Sequence, residues 1–176
     1  MPVLIEAISV IVRRDAVESK FPGGWEAFMG WVQNSTLCAD SVIARVGFMA
    51  PQDVKHFITE LESNGLTYLQ RGSAVDMVVV DQQRGLAAPC DWLEIGSLAA
   101  PTNPEKTLRA ARMGDSDDPN LITPDGWHFD GSLSDKFTFV ETGRVPEYLD
   151  FVRTENGVQV YRDIRNGELV YTGRTS

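Results

Sequence analysis

Val42-Ile43-Ala44-Arg45-Val46-Gly47-Phe48-Met49, followed by Pro51 and then by Val54, Phe57, Ile58 and Leu61, is the stretch that decides the fold class. The first run reads as a strand. The proline opens a helix, because the first helical position needs no N–H donor. The four apolar residues after it fall at i, i+3, i+4 and i+7 and make one stripe. Asn64-Gly65 closes the helix, since the left-handed residue that follows a last turn is cheapest for glycine. Two more strand-like runs follow at 66–70 and 75–80, the second apolar enough for burial on both faces.

Working outward from this stretch, residues 3–13 read as a strand. Trp25, Phe28, Met29 and Val32 fall at helical spacing within 24–33, and 15–20 adds a helical turn before the Pro22-Gly23-Gly24 break. Residues 36–39 and 42–49 are read as paired strands around Asp40-Ser41. The resulting order β-α-β-β-α-β is the split βαββαβ, or ferredoxin-like, arrangement, an antiparallel sheet with two helices on one face. Residues 75–80 and 91–95 add further strands.

Beyond Ser97 the texture changes. Pro101, Pro104, Pro119 and Pro124 punctuate a polar stretch in which only 107–113 looks helical. A β-meander is expected last, with strands at 137–140, 158–164 and 168–172, and a helical turn or strand at 147–152. Asn166-Gly167 is the dipeptide of tight hairpins, and Glu155-Asn156-Gly157 offers a second turn of that kind. The chain is therefore read as α+β: a ferredoxin-like unit over 1–98, a Pro/Asp-rich linker or surface excursion over 99–126, and a small β-meander unit over 127–176.

With 176 residues, 43 % hydrophobic and 23 % charged, the chain has the composition of a globular protein with a full core. A formal charge of −9 argues against a nucleic-acid surface, which needs clustered Lys and Arg, and against anionic membranes. The apolar run 3–12 is broken by Glu6 and Ser9 and lacks a preceding basic residue, so it reads as neither signal peptide nor membrane span. Cys38 and Cys90 are too few for a secreted disulfide framework. The expectation is a cytoplasmic protein with two reduced thiols, a single disulfide being left open because sequence carries no distance.

Chemistry-bearing residues are sparse. Cys38 and Cys90 with His56 and His128 would be the nucleophile and base set, yet Cys38 falls in an apolar strand and His56 off the apolar stripe of its helix. Pro89-Cys90-Asp91-Trp92 packs a thiol, a carboxylate and an indole together. Read as a strand, it puts Cys90 and Trp92 on one face and Asp91 on the other, as a pocket rim or as an edge strand. Six Asp and no Lys or Arg lie between Met113 and Asp135, around Trp127, His128 and Phe129. Asp115-Ser116-Asp117-Asp118 fails as a calcium loop because Pro119 and Gly126 hold the fifth and twelfth positions. The glycines before Trp25 lack the Lys and Ser/Thr of a phosphate loop, and Glu26 would repel an anion there. No catalytic signature of known spacing occurs, and no family resemblance is carried by these residues.

Three readings result. The first is an acidic protein-binding module without catalysis, cofactor or metal. Its Asp cluster over 115–135, with Asp115, Asp117 and Asp118 foremost and Trp127 and Phe129 inside it, engages a basic protein partner, as immunity-type inhibitors of nucleases do. The second is a small-molecule site or enzyme in a cleft between the two units, lined by Cys90, Asp91, Trp92 and His128. The third is a homodimer paired through an open sheet edge.

Overall fold

The computed structural model describes residues 1–114, 120–136, 149–155, 158–164, 167 and 169–173. The chain divides into two compact units, Met1–Leu98 with Leu108–Trp127, and Ala99–Thr107 with His128–Ser176. The architecture is α+β with antiparallel sheets.

In the first unit the helical pattern quoted above folds as it reads. Helix α3 (Pro51–Ser63) starts on Pro51 and buries Val54, Phe57, Ile58 and Leu61. It ends in a Schellman motif, with Leu66 N–H on the Leu61 carbonyl at 3.2 Å and Gly65 N–H on the Glu62 carbonyl at 3.0 Å. Gly65 has φ +103°, and a Cβ there would sit 3.0 Å from the Lys20 carbonyl, so glycine is required on two counts. Helices α1 (Arg14–Lys20) and α2 (Gly24–Trp31) precede it, parted at Pro22-Gly23.

Five antiparallel strands make the central sheet: β2 (Ile8–Arg13), β3 (Cys38–Ala39), β4 (Ile43–Phe48), β7 (Met77–Asp81) and β8 (Gly85–Leu86). Their order is β3-β4-β2-β7-β8. Period-two alternation divides their side chains. Val10, Val12, Ala44, Val46, Met77 and Val79 face the helices, packing with Val17, Phe28, Phe57 and Leu61. Ile11, Ile43, Val78 and Val80 face the other way, packing with Val3, Ile5, Leu93 and Ala111. Burial on both faces is why β7 is an unbroken apolar run.

The second face is covered by strands of another sheet, ordered β1-β10-β9, from β1 (Val3–Ile5), β9 (Glu94–Ala99) and β10 (Thr107–Arg112). Several expectations are corrected by it. Residues 3–13 are two strands in different sheets, broken at Glu6-Ala7. Ala7 takes φ 51°, and Gln82 clamps it, its side-chain oxygen accepting the Ala7 N–H at 2.8 Å and its N–H donating to the Ala7 carbonyl at 2.8 Å. A left-handed alanine costs about 1–2 kcal/mol, of which glycine's greater unfolded-state freedom takes back roughly half. Ala7→Gly is therefore expected to raise the unfolding free energy by roughly 0.5 kcal/mol in urea titration.

The segment 107–113, helical by its Ala and Arg content, is instead strand β10, pairing Leu108–Arg112 into the first unit within what was expected to be a linker. Its register Val3↔Ala111, Leu4↔Ala110, Ile5↔Arg109 buries Leu108, Ala110 and Ala111, and that pairing outweighs helix propensity. Residues 66–70 do not supply the fourth strand of the central sheet. Only β5 (Leu69–Gln70) is extended there, and it pairs with β6 (Ser73–Ala74) in a separate ribbon while β7 takes the place beside β2. With β8 at its edge and a second sheet on its other face, the assembly is larger than the four-stranded arrangement expected.

In the second unit, β11 (Leu149–Glu155), β12 (Val158–Asp163) and β13 (Leu169–Gly173) form the expected meander, preceded by the short helix α4 (Leu133–Lys136). The register slips between Phe151 and Arg153, a bulge that leaves Phe151 opposite Tyr161 with ring centroids 5.7 Å apart. The expected strand at 137–140 and turn residues Asn156, Gly157 and Asn166 lie outside the described residues. No helix among the described residues is long and apolar enough to cross a membrane.

Candidate functional site

The segment Cys90-Asp91-Trp92 is not a strand. It is a bend before β9, so the expected alternation of faces does not hold there. Pro89 accepts the Ala74 N–H at 2.8 Å, and the Trp92 indole donates to the Ala74 carbonyl at 3.3 Å, tying the bend to the β5-β6 ribbon. The Arg13 guanidinium lies 5.7 Å from the Trp92 ring centre, a cation–π contact.

Arg13 sits where β2 turns into α1. Its Nε donates to Asp15 Oδ1 at 3.0 Å and its main-chain N–H to the Asp76 carbonyl at 2.9 Å. Asp76 is buried, and one of its carboxylate oxygens accepts both Lys20 Nζ at 2.6 Å and the Thr67 N–H at 2.7 Å. Hydrogen bonding to Arg13 holds the Asp15 carboxyl below the usual range, and the same bond raises Arg13, with Asp76 and Asp91 adding to it. Both cations at this corner are spent on the protein's own carboxylates. What remains presentable is the half-exposed Trp92 ring and the exposed Asp91.

Both thiols are free, Cys38 buried and Cys90 partly exposed. Burial pushes the Cys38 thiol up to about 11. Burial also raises Cys90, with Asp91 adding to it. Neither carries much thiolate at neutral pH. Because the folded value of Cys38 lies above its ordinary 9.0, its contribution to stability is intact below pH 9 and is lost as pH rises toward 11. Unfolding titrations from pH 7 to 11 should show the wild-type chain losing on the order of 2 kcal/mol relative to the Cys38→Ala variant across that window.

A second group of polar side chains is buried outright, and its significance was not read from the sequence. Arg45 is 2 % exposed in the middle of β4. Its Nε donates to Ser9 Oγ at 2.9 Å, and its terminal nitrogens to the Glu6 carbonyl at 2.8 Å and the Thr36 carbonyl at 3.2 Å. Gly47, two residues along the same face, makes room for it: a Cβ there would meet the guanidinium at 2.5 Å. Burial lowers the Arg45 pKa, with the electrostatic interaction with Cys38, and that with the Glu6 carboxylate, opposing the shift. Glu6 in turn accepts the Trp127 indole N–H at 3.2 Å. Trp127 is therefore half-buried and anchored in the first unit rather than standing free beside the Asp residues. The signal was in the sequence, as charged Glu6 and Arg45 interrupt otherwise apolar strands.

His56 is exposed on α3, 3.5 Å from Glu60 one turn away, and does not meet a thiol. His128 is exposed and falls in the second unit. Asp125 and Asp130 are exposed, but Asp135 is not free charge. Lys106 Nζ lies 2.6 Å from one of its oxygens and the Gly131 N–H donates to the other at 3.0 Å. Asp115, Asp117 and Asp118 lie outside the described residues. Among the described residues no cluster of three His, Cys, Asp or Glu is placed to hold a metal ion.

Among the described residues of the second unit, the exposed large apolar side chains lie on or beside the meander: Phe151 is 58 % and Ile164, just after β12, 59 % exposed, with Val152 and Leu169 also exposed. Formal charge divides unevenly around it. Residues 1–135 hold 10 Lys/Arg against 19 Asp/Glu, the whole of the −9, whereas residues 136–176 hold 6 of each and are neutral. No protein-family model, curated protein or solved structure matches the chain.

Proposed function

We propose that the chain is an acidic, non-catalytic protein-binding module on a ferredoxin-like core. The observation that carries the reading is the exposure of Phe151 on β11 and of Ile164 just after β12, at 58 % and 59 %, within residues 136–176, whose formal charges cancel. Large exposed apolar side chains mark interaction surfaces, and aromatic ones are common anchors of a protein interface. The −9 of the remaining chain supplies long-range attraction for a basic protein partner. Support for the ferredoxin-like core comes from four successive strands of the central sheet, ordered β3-β4-β2-β7, with α1 and α2 between β2 and β3 and α3 after β4, all packed on one face.

The test is capture of partners from the source lysate at low and high salt, repeated with a Phe151→Ser chain and with a chain carrying Asn at 115, 117, 118 and 125. A stoichiometric basic protein, lost at high salt and weakened by both sets of substitutions, is the expected result. Binding that is indifferent to salt and to all these changes overturns the reading.

A further inference from the structure

We infer that two copies of this chain associate by antiparallel pairing of β9, extending the β1-β10-β9 sheet across a two-fold axis at Ser97. The inference goes beyond the binding reading above and stands without it.

Within the first unit the other sheet edges are blunted. The central sheet ends in β3 and β8, of two residues each, and the ribbon strands β5 and β6 are equally short. The outer side of β1 is occupied, because Leu4 donates to the Ile122 carbonyl at 2.9 Å and Ile122 to the Pro2 carbonyl at 2.8 Å. Strand β9 ends its sheet with six residues, Glu-Ile-Gly-Ser-Leu-Ala, carrying no proline, no lysine and no strand partner on its outer side among the described residues. Long regular edges of this kind are what proteins otherwise shorten, charge or cover.

The pairing of β9 with β10 can be read from its two ends. Ala100 donates to the Lys106 carbonyl at 2.9 Å, and Glu94 pairs with Arg112 at 2.9 Å, so the strands run antiparallel with Glu94 opposite Arg112. Antiparallel neighbours alternate in bonding direction. The Ala100 N–H points inward, and Leu98, Gly96 and Glu94 therefore bond inward as well. Ile95, Ser97 and Ala99 turn their N–H and C=O groups outward.

These outward groups are complementary to themselves. With the two-fold axis at Ser97, Ser97 faces Ser97 of the second copy and Ile95 faces Ala99. Every outward donor then meets an outward acceptor, and each side chain keeps its own face of the sheet. The side chains nearest the axis, Gly96 and Ser97, are small. The only ionisable residue of the strand, Glu94, is held by Arg112 and lies opposite residue 100 of the other copy. Six residues of strand, roughly 20 Å, separate it from its counterpart, beyond the Debye length at physiological salt. A second copy thus fits this edge without bringing two carboxylates together.

The experiment is analytical ultracentrifugation of the full chain across a wide concentration range at two salt concentrations. A reversible dimer is expected. It should strengthen with salt, because each copy carries −9, whereas binding to a basic partner weakens with salt, so the two proposals fail separately. Ser97→Pro removes an outward N–H and spares the inward ladder, and should weaken the dimer on the order of tenfold or more with an unchanged circular dichroism spectrum. Ser97→Lys and Ser97→Asp each set like charges across the axis and should be monomeric, while an equimolar mixture of the two should dimerise again. Because Ser97 is exposed, the charged pair tests the idea even where the proline variant does not fold. A wild-type chain monomeric at every concentration, or a dimer indifferent to Ser97→Lys, overturns the inference.

Discussion

Arg45→Ala is expected to lower the unfolding free energy by about 3–5 kcal/mol, a large share of the ~5–15 kcal/mol that holds a domain together. The guanidinium is buried and bonded to Ser9, Glu6 and Thr36. Removing it takes the guanidinium donor from Ser9 Oγ and from the Thr36 carbonyl, leaves the Glu6 carbonyl with the Ser9 hydroxyl at 3.1 Å, and opens a cavity beside Ile11 and Ile43. A double-mutant cycle with Gly47→Ala gives the sharper readout. On the wild-type background the added methyl displaces the guanidinium it would meet at 2.5 Å, and should cost about 1–3 kcal/mol. On the Arg45→Ala background nothing stands in its way, and most of that cost should vanish. Additive effects of the two substitutions in urea titration would show that Arg45 does not occupy this place.

Phe28→Ala should cost a comparable ~3–5 kcal/mol. Phe28 is fully buried on α2, with ring centroids 5.6 Å from Phe21, edge to face, and 5.6 Å from Trp25, stacked. Trp31 lies 6.3 Å away and itself stacks on Phe57 of α3 at 5.6 Å. The ring thus joins α1, α2 and α3 to the sheet, and its neighbours are too rigid to collapse into the space it leaves. Phe28→Leu, which retains most of the volume, should cost well under half as much. Tryptophan fluorescence reports the same site, since Trp25 and Trp31 flank it. A loss below about 1 kcal/mol for the alanine variant would mean that the aromatic layer repacks and does not define the core.

Local signals were sufficient wherever one element's own residues decide its form. The α3 stripe, Pro51 at its start and Gly65 at its end depend on contacts within a few residues, and they are legible because helix geometry is periodic. Two of the meander's strands, at 158–163 and 169–173, were legible from their alternating apolar residues, and β12 pairs with both its neighbours antiparallel. The composition alone set the acidic charge and its concentration in the first 135 residues. The burial of Cys38 also followed from its apolar strand, and burial pushes its thiol up to about 11.

What the tertiary structure decided were matters of long-range pairing. Residues 3–13 look like one strand because both halves are apolar, and only the two sheets to which they belong reveal the break at Ala7. Segment 107–112 has the residues of a helix, and becomes a strand because β1, a hundred residues earlier, offers it a ladder. Residues 66–70 and 75–80 compete for one place beside β2, which goes to the run apolar on both faces because that sheet is covered on both sides. Trp127 and Asp135 seemed free to meet a partner, until Glu6 and Lys106, distant in sequence, turned out to hold them. Sequence spacing encodes which face a residue lies on, but a charge is free or spent according to which other chain segment packs against it, and that is set by the fold as a whole.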